Sequence, residues 1–284
     1  MKVAIASGKG GTGKTTVATN VARVAADSGH SVAYLDCDVE APNGHIFLRP
    51  ELGAATPVGT LIPKVDEAEC TYCGACSEFC QYGAIASLEK VILVFPELCH
   101  GCGGCSMVCP LEAITEVLHE TGQIEVGSAG SVAFVHGLLN VGQAMSPPVI
   151  KAVKRACPPV DFVILDAPPG TSCPVVESVR DCDYVVLVTE PTPFGLNDLK
   201  LAVEMVRTLG VPFGAVINRS DIGDGLTQSY CEQEGIAVLA EIPDDRRIAQ
   251  AYSRGEMICD ALPEYRALLD DLVRKIIRNV EEKL

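Results

Sequence analysis

Two sets of residues stand at spacings that chemistry would require. The 284-residue chain has 14 cysteines, and eight of them form two runs. Cys70, Cys73, Cys76 and Cys80 make the first, and Cys99, Cys102, Cys105 and Cys109 the second, both as C-x-x-C-x-x-C-x-x-x-C and offset by 29 residues. Gly83-Ala84-Ile85 follows one run and Glu112-Ala113-Ile114 the other, so a duplicated small unit is the simplest reading. The opening MKVAIASGKGG holds an apolar run too short for a secretory signal. Dense cysteine without a secretory signal points to metal, not disulfides. The other set is Gly8-Lys9-Gly10-Gly11-Thr12-Gly13-Lys14-Thr15, followed by Thr16. It fits G-x-x-x-x-G-K-T, with a strand expected before it and a helix after. Glycines let the backbone wrap phosphates, and the N–H groups with the helix N-terminus supply positive potential. Lys14 would neutralise terminal phosphates and Thr15 would ligate Mg²⁺. A chance glycine-rich turn would not need both flanking elements.

The 2-2-3 cysteine spacing resembles the bacterial two-cluster ferredoxin run. In that run three thiolates serve one cubane and the fourth cysteine serves the other. The resemblance assigns Cys70, Cys73, Cys76 and Cys109 to one 4Fe–4S cluster, and Cys99, Cys102, Cys105 and Cys80 to a second. Cys109 keeps the following proline of the motif, whereas Cys80 is followed by Gln81. Zinc is the rival, but it prefers paired knuckles separated by longer loops. Clusters that only staple the fold are the bland functional alternative.

These groups need a scaffold. Lys2–Ala6 reads as a strand, the next amphipathic stretch as a helix to about Ser28, and His30–Leu35 as a second strand ending at Asp36-Cys37-Asp38. The cysteine repeat interrupts this rhythm, which resumes after about Gly122. Strands are expected at Val132–Val135, Phe162–Leu165, Tyr184–Val188, Ala215–Ile217 and Ala237–Ala240. Helices are expected near 147–156, 174–180, 196–209 and 227–234, with an amphipathic tail over 263–283. The uncharged stretch from Val126 to Ile150 is broken by Gly, Ser, Asn, Gln and two prolines, so it reads as buried core and loops, not a membrane span.

The form Lys-Gly-Gly-x-Gly-Lys-Thr-Thr resembles the deviant Walker A loop of the MinD/ParA/Mrp superfamily, which includes the nitrogenase iron protein. The resemblance covers both α/β segments. It implies that Lys9 reaches a partner's phosphates across an ATP-dependent homodimer, or a heterodimer with a related chain. Asp36-Cys37-Asp38-Val39-Glu40-Ala41-Pro42-Asn43 is similar to the family's first switch, which gives Asp38 the attacking water and Asp36 a part in supporting Mg²⁺. A turn or helix cap is the ordinary use of such aspartates. Phe162–Leu165 with Asp166-Ala167-Pro168-Pro169-Gly170-Thr171 is similar to the Walker B strand and second switch. There Asp166 would hold the Mg²⁺ shell and Gly170 would sense the γ-phosphate. Asn218 and Arg219, with Pro243 and Asp244, sit where the family builds its adenine pocket. Cys173 is placed like the iron protein's switch cysteine, but no second cysteine near 140–150 completes that set, and a small buried thiol is the favoured reading. Mrp-type cluster carriers place a C-x-x-C in their C-terminal half, and this chain has none there. His100 reads as exposed or beside the cluster, and the tail helix as docked on the sheet.

Hydrophobic residues make up 48% and charged residues 21% of the chain, which excludes disorder as the main state. A net charge of −15 speaks against a broad nucleic-acid face. The expected fold is α/β, a mostly parallel P-loop sheet over 1–63 and 119–284, with an inserted two-cluster ferredoxin-like module over 64–118. The expected function is a cytoplasmic Mg-ATP-hydrolysing protein whose switch changes couple to electron transfer through two 4Fe–4S clusters and to a redox or iron–sulfur partner. An iron–sulfur assembly or delivery factor is the first alternative, and a positioning ATPase with structural clusters is the second.

Overall fold

The computed structural model describes residues 1–282. Residue 283, the last of the expected tail helix, and residue 284 lie outside the described residues. The chain divides into two compact units. One takes Met1–Ala55, Ile124–Leu138 and the chain from Ile150 onward, and the other takes Thr56–Gln123 and Leu139–Val149.

In chain order, β1 (Lys2–Ser7), α1 (Lys14–Asp27), β2 (Val32–Asp36), α2 (Gly44–Leu48) and β3 (Glu51–Leu52) come first. Then follow β4 (Thr56–Val65), α3 (Ala75–Phe79), β5 (Ile85–Leu88), β6 (Val91–Val94), α4 (Gly104–Met107) and β7 (Ile114–Ala129). Next are β8 (Val132–Leu139), α5 (Pro147–Arg155), β9 (Phe162–Pro169), α6 (Cys173–Val179), β10 (Tyr184–Thr189) and α7 (Pro193–Leu209). The chain continues through β11 (Phe213–Asn218), α8 (Leu226–Gln233), β12 (Val238–Ile242), α9 (Arg246–Ser253), α10 (Ile258–Ala261) and α11 (Arg266–Glu281).

The first unit is organised on a sheet in the order β12-β11-β10-β1-β9-β2-β8-β7-β3. From β12 through β8 the paired strands are parallel. β3 is antiparallel to β7, with Glu51 opposite Ser128. β1, β2 and β10 are apolar and almost wholly buried, as strands covered on both faces must be. From β1 the chain steps to β2 on one side, and β10, β11 and β12 later step away on the other. That reversal opens a crevice at the C-terminal ends of the central strands, where open α/β sheets bind ligands. Val17 and Val21 of α1 share one core with Leu272 and Ile276 of α11, and with Ile5, Tyr34, Phe134 and Ile164 of the sheet. The tail helix therefore docks on the sheet, as its apolar periodicity implied. Thr192 starts α7 by accepting the Gly195 N–H at 3.0 Å, and Pro193 opens the first turn, where its missing N–H costs nothing.

The expected strands and helices of this unit are present, with ends moved by a few residues. The reading of 126–150 as buried core and loops holds in part: Val132, Phe134, Val135, Val149 and Ile150 are buried. This stretch contains the end of β7, all of β8 and the start of α5. Val126 and Val141 are exposed. Uncharged residues there are spent partly on a strand pair and partly on an open turn, so lack of charge did not mean burial throughout.

In the second unit β4 pairs with β7, and β5 pairs antiparallel with β6, Ile85 opposite Val94. α3 and α4 are single short turns, each entered from a left-handed glycine, Gly74 and Gly103. Its buried cluster is small: Cys76, Ile85 and Ile114, with Val65, Cys80, Ile92, Val94, Cys105 and Cys109 partly buried against it. Among the described residues no helix is long and apolar enough to cross a membrane.

Candidate functional site

The loop between β1 and α1 lines a cavity with Lys9, Gly10, Gly11, Gly13, Lys14, Thr15 and Thr16, and Asp38, Asn43 and Pro169 face the same space. Gly13 caps α1 at φ 92°, a left-handed conformation that favours glycine. A Cβ there would also press on the Asn218 amide. Gly8 lies at the foot of this loop, outside the cavity lining. The Thr12 hydroxyl and the Asn43 amide oxygen are buried without a hydrogen-bond partner. Buried polar atoms are normally paired, so orphans beside a phosphate-type loop fit a polar ligand.

A second cavity of about 260 Å³ adjoins Gly11, Gly13 and Thr16 and is lined by Asn218, Arg219, Pro243, Asp244, Asp245 and Tyr252. The four residues expected around an adenine are thus gathered on one wall. Asn218 Nδ2 donates to the Thr12 carbonyl at 2.9 Å, which ties this wall to the phosphate loop.

Acidic groups meet where β1, β2 and β9 end. In the parallel register Asp36 lies opposite Asp166, and both are fully buried. Lys14 Nζ donates to Asp166 Oδ1 at 2.6 Å. Burial works to lower the Lys14 pKa, but Asp166, with Asp38 and Asp36 behind it, outweighs that and leaves it raised. Burial first, then the Asp166 charge, push Asp36 up to about 7. The Asn43 and Gly44 N–H groups donate to Asp36 at 3.1 and 2.9 Å, and the Gly44 bond pulls the other way. Asp38 is also raised, chiefly by burial, against the attraction of Lys14. Thr15, Asp36 and Asp166 offer hard oxygen donors, the type Mg²⁺ takes.

Two expected residues are engaged elsewhere. Lys9 Nζ stands 3.7 Å from Glu190 Oε2, and Arg219 stands 3.5 Å from the other oxygen of Glu190. Gly170 N–H donates to the Ser7 carbonyl at 2.9 Å, so it is not presented to the phosphate cavity. Tyr34, Glu190 and Tyr252 were not expected at the site, while Asn43 was expected only as the end of the first-switch segment. Tyr34 and Glu190 did carry one signal, a polar group within or just after an apolar strand that ends at the crevice.

The eight run cysteines separate into two cavities of the second unit. Cys70, Cys73, Cys76 and Cys109 line one, and Cys80, Cys99, Cys102 and Cys105 line the other. Three cysteines of each run therefore share a cavity with the last cysteine of the other run. Four thiols around one space suit an iron–sulfur cubane. Among the described residues no three or more His, Cys, Asp or Glu side chains are gathered to hold a single metal ion. Burial raises the thiol pKa of Cys76 and Cys105, which lie on α3 and α4. His100 is exposed and stacks on Tyr82 at 3.8 Å, beside the second cavity.

Of the other six cysteines, Cys37, Cys182, Cys231 and Cys259 are buried and Cys157 partly so. Cys173 corrects an expectation, because it is exposed. It opens α6 just after the β9 segment, where the chain leaves the sheet for the surface, and small size alone did not draw it inward.

A family model described as the CobQ/CobB/MinD/ParA nucleotide binding domain matches residues 3–258. An uncharacterized protein of Methanocaldococcus jannaschii is 30% identical over 260 residues, 90% of each chain. An iron-sulfur cluster carrier protein of Pyrococcus horikoshii is 28% identical over 307 residues, 99% of this chain and 87% of that one. The septum site-determining protein MinD of Pyrococcus horikoshii, solved with Mg-ADP, matches the fold at a TM-score of 0.58 and 19% identity, over 97% of this chain and 95% of that one. With its phosphate loop at the head of a parallel sheet, the chain belongs to the CobQ/CobB/MinD/ParA family of nucleotide-binding domains.

Proposed function

We propose that the chain is an ATPase that also binds two 4Fe–4S clusters, and that its nucleotide state governs electron transfer through them. The observation that carries this reading is the four-and-four division of the run cysteines between two cavities, in a chain that also has a phosphate cradle. The clusters would be held in an inserted ferredoxin-like module over 64–118, between ATPase segments 1–63 and 119–284. Each would supply a one-electron site. Mg²⁺ held by Thr15, Asp36 and Asp166 would screen phosphate charge.

The chain's own residues have separable tasks. Gly8, Gly10, Gly11, Thr12 and Gly13 would wrap the phosphates, with Thr16 beside them, and Lys14 would leave Asp166 for the terminal phosphates. Asp38, beside Lys14 and raised by burial, would orient the attacking water. Asn218, Arg219, Pro243 and Asp244 would hold the base. Lys9, engaged by Glu190 in the single chain, would reach across to a second copy or a related chain once nucleotide is bound. Gly170 would exchange its Ser7 bond for the γ-phosphate, which makes the second switch respond to nucleotide.

The test is anaerobic purification, iron and sulfide counting, and redox titration with and without a non-hydrolysable Mg-ATP analogue. The expected result is two clusters whose potentials differ by about 59 mV or more between the two conditions, a tenfold coupling. Equal potentials with unchanged electron-transfer rates would sink the coupled reading.

A second reading, delivery of clusters to other proteins, is favoured by the iron-sulfur cluster carrier names of the Pyrococcus relatives. It predicts loss of iron to an apo-acceptor within one ATP cycle. Retention of all iron against that acceptor would remove it.

A further inference from the structure

Tyr34 is fully buried in β2, a strand otherwise apolar until Asp36. In the parallel register it lies opposite Ile164, one pleat below the Asp36–Asp166 pair. Its hydroxyl reaches up and donates to Asp166 Oδ2 at 2.8 Å, while Lys14 holds Oδ1 at 2.6 Å. Both oxygens of this buried carboxylate are thereby tied.

The tyrosine ring is itself immobilised. Phe134 stacks on it with centroids 5.4 Å apart and planes 15° from parallel. At the other end a Cβ on Gly44 would run into the Tyr34 hydroxyl and ring, so the backbone that closes the Asp38–Asn43 loop packs directly on the phenol. A phenylalanine would fill the same core space. A buried hydroxyl is costly unless it is bonded, so its presence needs the bond to Asp166.

We propose that Tyr34 is a positioning residue for the Mg²⁺ site, fixing the Asp166 carboxylate when Lys14 is withdrawn. This rests on the nucleotide-site reading above. Phosphate oxygens compete with Asp166 Oδ1 for the Lys14 ammonium. When nucleotide draws Lys14 away, Oδ1 is released toward the metal shell while Oδ2 stays on the Tyr34 hydroxyl. The hydroxyl then restrains rotation of the carboxylate, and one oxygen is presented in a set direction. The same phenol touches Gly44, so the segment carrying Asp38 and the strand end carrying Asp166 share one rigid support.

The test is Tyr34→Phe, which keeps the ring, the stack and nearly all the volume. ADP binding is measured by calorimetry in EDTA and across a Mg²⁺ series, with thermal unfolding alongside. Metal-free ADP affinity should stay within about twofold. The Mg²⁺ concentration that half-restores tight binding should rise about tenfold, the size expected on losing one hydrogen bond to a charged group. Adding Asp166→Asn to Tyr34→Phe should move that midpoint no further than Asp166→Asn alone, because the two act through one contact. Gly44→Ala, which keeps the hydroxyl but sets a Cβ against it and the ring, should shift the midpoint in the same direction and covers the case in which Tyr34→Phe does not fold. An unchanged Mg²⁺ midpoint with a lowered melting temperature would make Tyr34 a packing residue and overturn the inference. Wild-type protein that binds no ADP under any condition would overturn the nucleotide reading first, and this inference with it.

Discussion

Two carboxylates, Asp36 and Asp166, lie opposite each other on neighbouring buried strands, with Lys14 bonded to only one of them. Asp36 is the group that registers this crowding, with its pKa lifted to about 7 from an ordinary value near 4. Between about pH 4 and 7 the folded chain then holds a proton that the unfolded chain has released, so stability falls as pH rises through that window. Each pKa unit is worth about 1.4 kcal/mol. Urea titrations of nucleotide-free protein should therefore show declining stability from pH 4.5 to 7, and Asp36→Asn should flatten that decline; the same slope in the variant would assign it elsewhere. Cysteines give a second contrast. Burial pushes Cys182 and Cys259 up to about 12, and Cys231 to about 11, while Cys173 is exposed. Iodoacetamide at pH 8, mapped by mass spectrometry on the native protein, should label Cys173 and spare those three; labelling of Cys231 before Cys173 would contradict the burial. The phosphate loop and the paired cysteine runs were legible in the sequence because their chemistry is local in the chain. Tyr34 and Glu190 were not, because their roles depend on which strands are neighbours.

The elements that position the site were legible wherever periodicity was strong. β10 and α7 read clearly, since an apolar run and a helical stripe each need only local residues. β7 did not, although at 16 residues it is a long strand. Its Thr, Val and Ile positions are interleaved with Glu and His, and the adjoining cysteine repeat suggested irregular chain. The short helices α9 and α10 were also missed, yet α9 supplies Ile248, Ala249 and Tyr252 to the wall of the base cavity. Asp245 starts α9 by accepting the Arg247 N–H at 2.8 Å, a cap signal that was present in the sequence. The docking of α11 makes its own prediction. Leu272 is fully buried between α1 and the sheet, so Leu272→Ala should cost about 2–5 kcal/mol by denaturant titration. A loss below about 0.5 kcal/mol would mean that the tail helix is not an integral layer of the core.

At the scale of the whole molecule, the two units differ in what can hold them together. The first has a broad apolar core spanning sheet and helices. The second has a small buried apolar cluster, Cys76, Ile85 and Ile114 with six side chains partly buried against it, too little to offset the ordering of its chain by burial alone. Metal-dependent order is expected there. On the proposed cluster reading, stripping iron with a chelator should open the segment 56–123, which holds eight glutamates, to a glutamate-specific protease. Cuts confined to that segment, with the remainder intact by mass spectrometry, would agree; equal resistance before and after chelation would not. The bond from the Gly53 N–H to the Val126 carbonyl, 2.9 Å long, lies just outside the points where the chain departs from the first unit and returns to it. For the segment 56–123 departure and return are thus side by side, while Leu139–Val149, the other piece of the second unit, leaves the first unit separately. A gene in which 56–123 is replaced by a two-residue Asn-Gly turn should still encode a folded, nucleotide-binding protein, and the closeness of the two chain ends would let a lineage gain or lose the cysteine-bearing segment by one insertion or deletion.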